Sequence, residues 1–238
     1  MGKNTSNNLK KVQSTYVLSL YKIFWVFIIA SAVGYVVEMI ISLTQFGHFE
    51  SRQGLLYGPF NQVYGFGAVL MVLFLHKASL NHIFWSFIAS ALIGGGFEAL
   101  SSLLQQMAFG AVSWNYSAQP LSILGGRTSL ILMFYWGILG IVFMKGIYPY
   151  LMRLVECIPT RPGHALTILF AIFFAFNIII SVAAVHRWSE RIDGISPENT
   201  IDVFLDDHYP NHLMETVYPN MTFTKSGVAN QSDANTKP

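Results

Sequence analysis

The sequence is short of charge and nearly free of cysteine. Only 11% of its 238 residues are Asp, Glu, Lys or Arg, less than half the share of about 25% in soluble domains. That deficit excludes a disordered chain, a nucleic-acid-binding module and an ordinary cytosolic enzyme. Cys157 stands alone, which excludes an intramolecular disulfide framework and a cysteine-based metal cluster. Gly-x-x-x-x-Gly-Lys-Ser/Thr does not occur, so this chain hydrolyses no nucleotide by that motif. Gly-x-Ser-x-Gly and His-Glu-x-x-His are missing too. The seven histidines fall at span ends, in loops and in the C-terminal segment. No catalytic residue, metal-ligand set or cofactor site is therefore assigned, and whether the chain is an enzyme stays open.

What fills the sequence instead is apolar. Hydrophobic residues make up 53% and aromatics 15%, with a mean hydropathy of +0.47. Crossing a hydrocarbon core of about 30 Å takes roughly 20 helical residues. Stretches near 21–43, 58–75, 83–104, 121–144 and 165–185 meet or approach that length. These predict an all-α membrane protein with about five transmembrane helices. The second stretch is short and glycine-rich; it reads as a tilted helix or as a half-helix entered through a re-entrant, glycine-broken loop.

Charge is unevenly spread. Residues 1–186 carry a net +6 and residues 187–238 a net −4. With the N-terminus inside, eight basic residues fall inside and four lie near the outer span ends. The positive-inside rule then gives a multi-pass protein of the cell membrane with a cytoplasmic N-terminus and an external C-terminal tail. Three regions follow: a polar segment over 1–20, a membrane domain over 21–186, and an acidic tail over 187–238. The tail's three prolines, its acidic run and its lack of periodicity predict a solvated, partly disordered segment. The alternative is a docking segment built on Tyr209, Tyr218 and Phe223.

The first and third spans resemble each other. Gly34-x-x-x-Glu38 and Gly94-x-x-x-Glu98 each set glycine and glutamate on one helical face. A Phe-Gly pair follows each, at Phe46-Gly47 and Phe109-Gly110. Glu38 to Gly65 and Glu98 to Gly125 have the same separation. The pattern predicts a two-span unit present twice, the copies parallel about an axis along the membrane normal.

Glu38 and Glu98 are the only acidic residues inside the predicted spans. A carboxylate at the bilayer centre costs about 2.5–3.5 kcal/mol on insertion scales, so each needs a partner, water or a proton. Two uses compete: pinning loop backbone at the outer end of the bundle, or lining a polar cavity that binds a cation or proton. Arg127 opens the fourth span on the same side. Its guanidinium fork suits a carboxylate, a headgroup or a substrate. Two loops would fold over these residues. One contains Gly54, Gly58, Tyr64, Gly65 and Gly67; the other contains Trp114, Asn115, Tyr116, Gly125 and Gly126. Their aromatics suit a headgroup belt equally well.

These loops carry a family resemblance. Gly34-x3-Glu38, Gly54-Leu-Leu-Tyr-Gly-Pro-Phe60, Val63-Tyr-Gly-Phe-Gly-Ala68, Glu98, Trp114-Asn-Tyr-Ser117, Gly126-Arg127 and Trp136-Gly137 occur in that order. The series resembles the bacterial CmpB-like membrane proteins, the family called Putative ABC-transporter type IV. The resemblance covers about residues 24–155. Three runs depart from the family pattern: Arg52-Gln53-Gly54 stands for Asn-Arg-Gly, Gln62 replaces a proline, and Ser113-Trp114-Asn115-Tyr116-Ser117 stands for Trp-Trp-Asp-Tyr-Ser, with no aspartate. The resemblance implies a permease-like subunit of an ABC-type transporter, embedded in lipid and served by a separate cytosolic ATPase. A homo-oligomer is compatible with it; a nucleic-acid partner is not. Two other functions suit the residues: a membrane scaffold or regulatory protein, and a membrane enzyme acting on lipid or cell-wall precursors.

Overall fold

The computed structural model describes residues 18–76 and 82–224. The polar N-terminal segment up to residue 17 and the region around Lys77 lie outside the described residues. Helix α1 spans Leu20–Phe46. Ser19 caps its start by accepting from the Lys22 N–H, and Gly47 ends it in the left-handed region. Helix α2 is Gln62–Leu75 and α3 is Ile83–Phe109. Helix α4, Leu130–Ile141, continues through a π turn at Val142–Ile147 into α5, Tyr148–Cys157. Helix α6, Thr160–Ile192, is the longest, and two short helices follow it, α7 (Thr200–His208) and α8 (Asn211–Val217).

Four helical stretches have the length and apolarity of membrane spans: Leu20–Thr44, Ile83–Phe109, Leu130–Cys157 and Arg161–Ile192. The protein is an all-α membrane protein. Helix α2 is shorter; its 14 residues cover about 21 Å at 1.5 Å per residue. The Asn61 N–H bonds the Ser31 carbonyl in the middle of α1 at 2.9 Å. The preceding loop thus descends along α1 before α2 begins.

The hairpins α1–α2 and α3–α4 repeat one packing scheme. A Cβ on Gly34 would overlap the Tyr64 ring, and one on Gly94 would overlap the Trp136 ring. Gly65 packs on Phe27, and Gly137 on Phe87. Ser42 and Ser102 are both buried. The first helices of the two units are therefore offset by 60 residues and the second helices by 72. This changes one register expected from sequence: the counterpart of Gly65 is Gly137, and Gly125 sits in a loop specific to the second unit. That unit's connection holds a β-hairpin, β2 (Ser122–Ile123) with β3 (Thr128–Ser129), so residues 121–129 form no part of a span.

Helix α5 buries one face, Tyr148, Leu151, Met152 and Val155, in the main core with Trp25, Met71 and Val72, because it continues the α4 rod back against α1. One further expectation changes: the segment after 187 is not a loose tail as far as residue 224. It forms a cap on the end of the bundle that bears the glutamates. Tyr209, Met214, Val217 and Tyr218 bury themselves against Leu56, Ala184, Val185 and Trp188. Strand β4 (Thr222–Phe223) pairs antiparallel with β1 (Ala111–Val112). Arg187, only 1% exposed, binds Asp206 through two 2.9 Å contacts. Arg191 adds a 2.6 Å contact to the same carboxylate. Composition gave no sign of order because the cap's stability is long-range: few buried aromatics and one ion-pair cluster, on a segment otherwise polar.

Candidate functional site

Glycine at position 34 lets the Tyr64 side chain pack directly on α1. Side chains lean toward the N-terminus of their own helix, so the ring of Tyr64, in the first turn of α2, points back up α1. Its hydroxyl donates to Glu38 Oε1 at 2.6 Å. Trp136 occupies the corresponding place over Gly94, with its indole beside Glu98. The Tyr64 and Trp136 rings meet with centroids 5.9 Å apart. The two glutamates accordingly flank the contact between the hairpins, and each acts electrostatically on the tyrosines that bind them.

Their environments are unequal. Glu38 is half-buried. Glu98 is 7% exposed; Tyr116 donates to its Oε1 at 3.0 Å and Thr128 to its Oε2 at 3.0 Å. Both donors are neutral hydroxyls. Burial, then the adjacent Glu98 and Glu38, push the Tyr116 phenol far above its ordinary range, while Arg52 acts the other way. Tyr116 is thus a protonated donor at neutral pH.

The second loop is shaped to deliver these donors. The Tyr116 N–H bonds the Gly126 carbonyl at 2.8 Å. The Trp114 indole donates to the Arg127 carbonyl at 3.1 Å. Asn115 is exposed and turns the chain by accepting from the Ser117 N–H at 2.9 Å. Gly126 has φ +85°, and a Cβ there would strike Asn115 and Ser117, so glycine is required. Leu121 and Leu124 also take positive φ, 59° and 53°, a strained conformation for leucine. The strain accompanies the hairpin that sets Thr128 against Glu98.

Arg127 reaches neither glutamate. It donates to Ser102 Oγ at 3.2 Å and to Gln106 Oε1; among the described residues no ion pair joins it to an acid. Gln105 holds Ser113 through its amide, at 2.8 and 2.7 Å. The last turns of α3 thus grip the loop through Glu98, Ser102, Gln105 and Gln106, which share a helical face. Helix α1 does the same through Ser42, which donates to the His48 carbonyl and accepts from the Glu50 N–H.

The first loop closes on itself and on α6. The Gly54 N–H bonds the Phe60 carbonyl at 2.9 Å, Gln62 donates to the Gly54 carbonyl at 2.9 Å, and Asn61 to the Arg52 carbonyl at 3.1 Å. Gly58, at φ +83°, makes the turn, while Gly67 lets Trp136 approach α2. Across the bundle, Asn177 of α6 binds both backbone groups of Tyr57: it accepts from the N–H at 3.1 Å and donates to the C=O at 2.7 Å. Ser181 accepts from the Leu56 N–H at 2.9 Å.

Three participants were not singled out from sequence. Arg52 is the cation nearest in effect to Tyr116. Asn177 had a visible signal, as the one amide in the apolar run 165–185. Thr128 had none, since a hydroxyl after Arg127 is unremarkable until the hairpin forms. The repeat also had a stronger signal than the glycine–glutamate pairs: Ile23-Phe-Trp-Val-Phe-Ile28 recurs as Ile83-Phe-Trp-Ser-Phe-Ile88.

Comparison with curated proteins and with solved structures gives no match. A family model, ABC_trans_CmpB, described as Putative ABC-transporter type IV, matches residues 25–182. That stretch takes in both hairpins, both glutamates, both loops and Asn177, and stops short of the cap. It spans about two thirds of the chain, and the protein belongs to the family Putative ABC-transporter type IV.

Proposed function

We propose that this chain is a permease-like subunit whose substrate or coupling-ion site is the cluster of Glu38, Glu98, Tyr64 and Tyr116. The observation that supports it most is Glu98: a carboxylate nine-tenths buried in a membrane helix, held by neutral hydroxyls, with a second carboxylate as its electrostatic neighbour. Such a group is costly unless a proton or a cationic ligand balances it. Placing it where two hairpins meet gives that ligand a site whose shape depends on their relative position, which is what alternating access requires. In this proposal the glutamate end faces outward and the N-terminus is cytoplasmic. A separate ATPase docks at the opposite end, because the chain has no nucleotide-binding loop.

The test is purification of the tagged full-length chain in mild detergent, with mass spectrometry of the proteins that accompany it. A stoichiometric ATPase, whose ATP turnover falls with Glu98→Gln but not with the exposed Glu215→Gln, is the expected result. A chain that purifies alone refutes ATP coupling, and equal turnover in the two variants refutes the carboxylate role.

A further inference from the structure

At the junction of α6 with the cap lies a groove of about 690 Å³ that neither glutamate lines, within the size range of ligand sites. Along α6 its wall changes from Ile178, Ile179 and Val182 to His186; the cap side contributes Ser196, Glu198, Asn199 and Ile201. Helix α6 has 33 residues, about 50 Å at 1.5 Å per residue, against a hydrocarbon core of about 30 Å. Counted from Ala165, twenty residues end at Ala184, so Ile178 to Val182 lie inside the hydrocarbon and His186 onward lies among headgroups. The apolar end continues the lipid-facing stripe of α6, where Leu169, Ile172, Phe176 and Ile179 are 57–69% exposed. Ile201 and Phe204 of the cap, 68% and 45% exposed, extend the same apolar surface.

The polar end has a defined sign. Arg187 and Arg191 are matched by Glu190 and Asp206. Glu198 and Asp202 remain. Asp202 accepts from the Glu198 N–H and the Asn199 amide, and the Glu198 carboxylate has no hydrogen bond or ion pair among the described residues. His186 lies 3.5 Å from Glu190. The groove therefore offers an acyl chain a path out of the bilayer and meets its headgroup with uncompensated negative charge.

We propose that this groove binds one phospholipid with an amine headgroup, its chain along Ile179 and Val182 and its ammonium at Glu198 and Asp202. The continuity with the lipid-facing stripe commits the occupant to a bilayer lipid, and the charge selects the headgroup. The site lies mainly outside residues 25–182 and is independent of the transport function proposed above.

Native mass spectrometry of the full chain in mild detergent tests this, with equal amounts of phosphatidylethanolamine and phosphatidylglycerol added. The wild type retains one phosphatidylethanolamine in preference by about fivefold, what a single headgroup-level charge contact supplies. Val182→Trp fills the groove and lowers retention about tenfold, whereas Leu169→Trp, on the open stripe, leaves it unchanged. Glu198→Gln, at an exposed position, keeps the lipid and removes the preference. Equal binding of the two lipids by the wild type overturns the proposal. So does a Val182→Trp protein that melts like wild type and retains lipid like wild type.

Discussion

Replacing Asn177 with leucine isolates the device that fixes the first loop. The amide is fully buried and serves both backbone groups of Tyr57, at 3.1 and 2.7 Å. Leucine has similar bulk and neither donor nor acceptor, so the Tyr57 N–H and C=O both lose their partner. Each unsatisfied buried group costs about 1–3 kcal/mol, giving an upper figure of about 6 kcal/mol. Hydrogen bonds between membrane helices average only about 0.6 kcal/mol, which sets a lower figure near 1 kcal/mol. Irregular backbone in a membrane protein has fewer substitutes than a helix side chain has, so a loss of about 2–4 kcal/mol is expected. Ser181→Ala, which frees the Leu56 N–H, should cost about 1 kcal/mol. The double variant should fall short of the sum, because Ser181 also donates to Asn177 at 3.3 Å. Reversible unfolding in mixed micelles gives the energies, and chymotrypsin cleavage after Tyr57 reports release of the loop. A loss below about 0.5 kcal/mol with unchanged cleavage would refute the clamp.

Three other outcomes follow from the geometry. Gly94→Ala drives a methyl group into Trp136 and should cost about 1–3 kcal/mol, while Gly96→Ala, with nothing within 4 Å, should gain about 0.5–1 kcal/mol; equal detergent melting temperatures would remove the close-approach argument. Arg187, more than Arg191, holds the Asp206 carboxyl below its ordinary range despite burial. Its contribution to the cap is complete above the unfolded value of about 3.9 and is lost as pH falls below that toward the depressed folded value. Proteolysis of the cap should hence stay constant from pH 7 to about 4 and rise below it, and release above pH 5 would contradict the assignment. Arg127→Lys keeps the charge but cannot fork between Ser102 and Gln106, and should cost about 1–2 kcal/mol. An unchanged melt would mean that the guanidinium faces headgroups instead.

The membrane spans were legible in the sequence because apolar length is a local property. So were Glu38 and Glu98, since an acid in such a span is conspicuous wherever it ends up. What those acids touch was not. By charge and position Arg127 suited either glutamate, yet it bonds Ser102 and Gln106, and in the hairpin at 122–129 it is Thr128 that reaches the Glu98 carboxylate. The first span of each unit could be aligned from sequence at a spacing of 60. The second could not, because the extra residues of the second connection shift its counterpart to 72 and leave Gly125 as a false match. The cap was read as a tail because each of its helices alone is too short and too polar to fold; only Trp188, Leu56 and the two arginines of α6 give it something to fold on.

The repeated hairpin also says something about descent. Each hairpin returns the chain to the end of the bundle from which it started, so a second copy joined in tandem packs the same way up as the first. A duplicated gene would yield a chain that inserts correctly at once, without any redistribution of flanking lysine and arginine, unlike a unit with an odd number of passes. Both copies would start with the same carboxylate in the same place. Insertion of a longer connection in one copy is then enough to make two inherited acids unlike, one enclosed and one left half open.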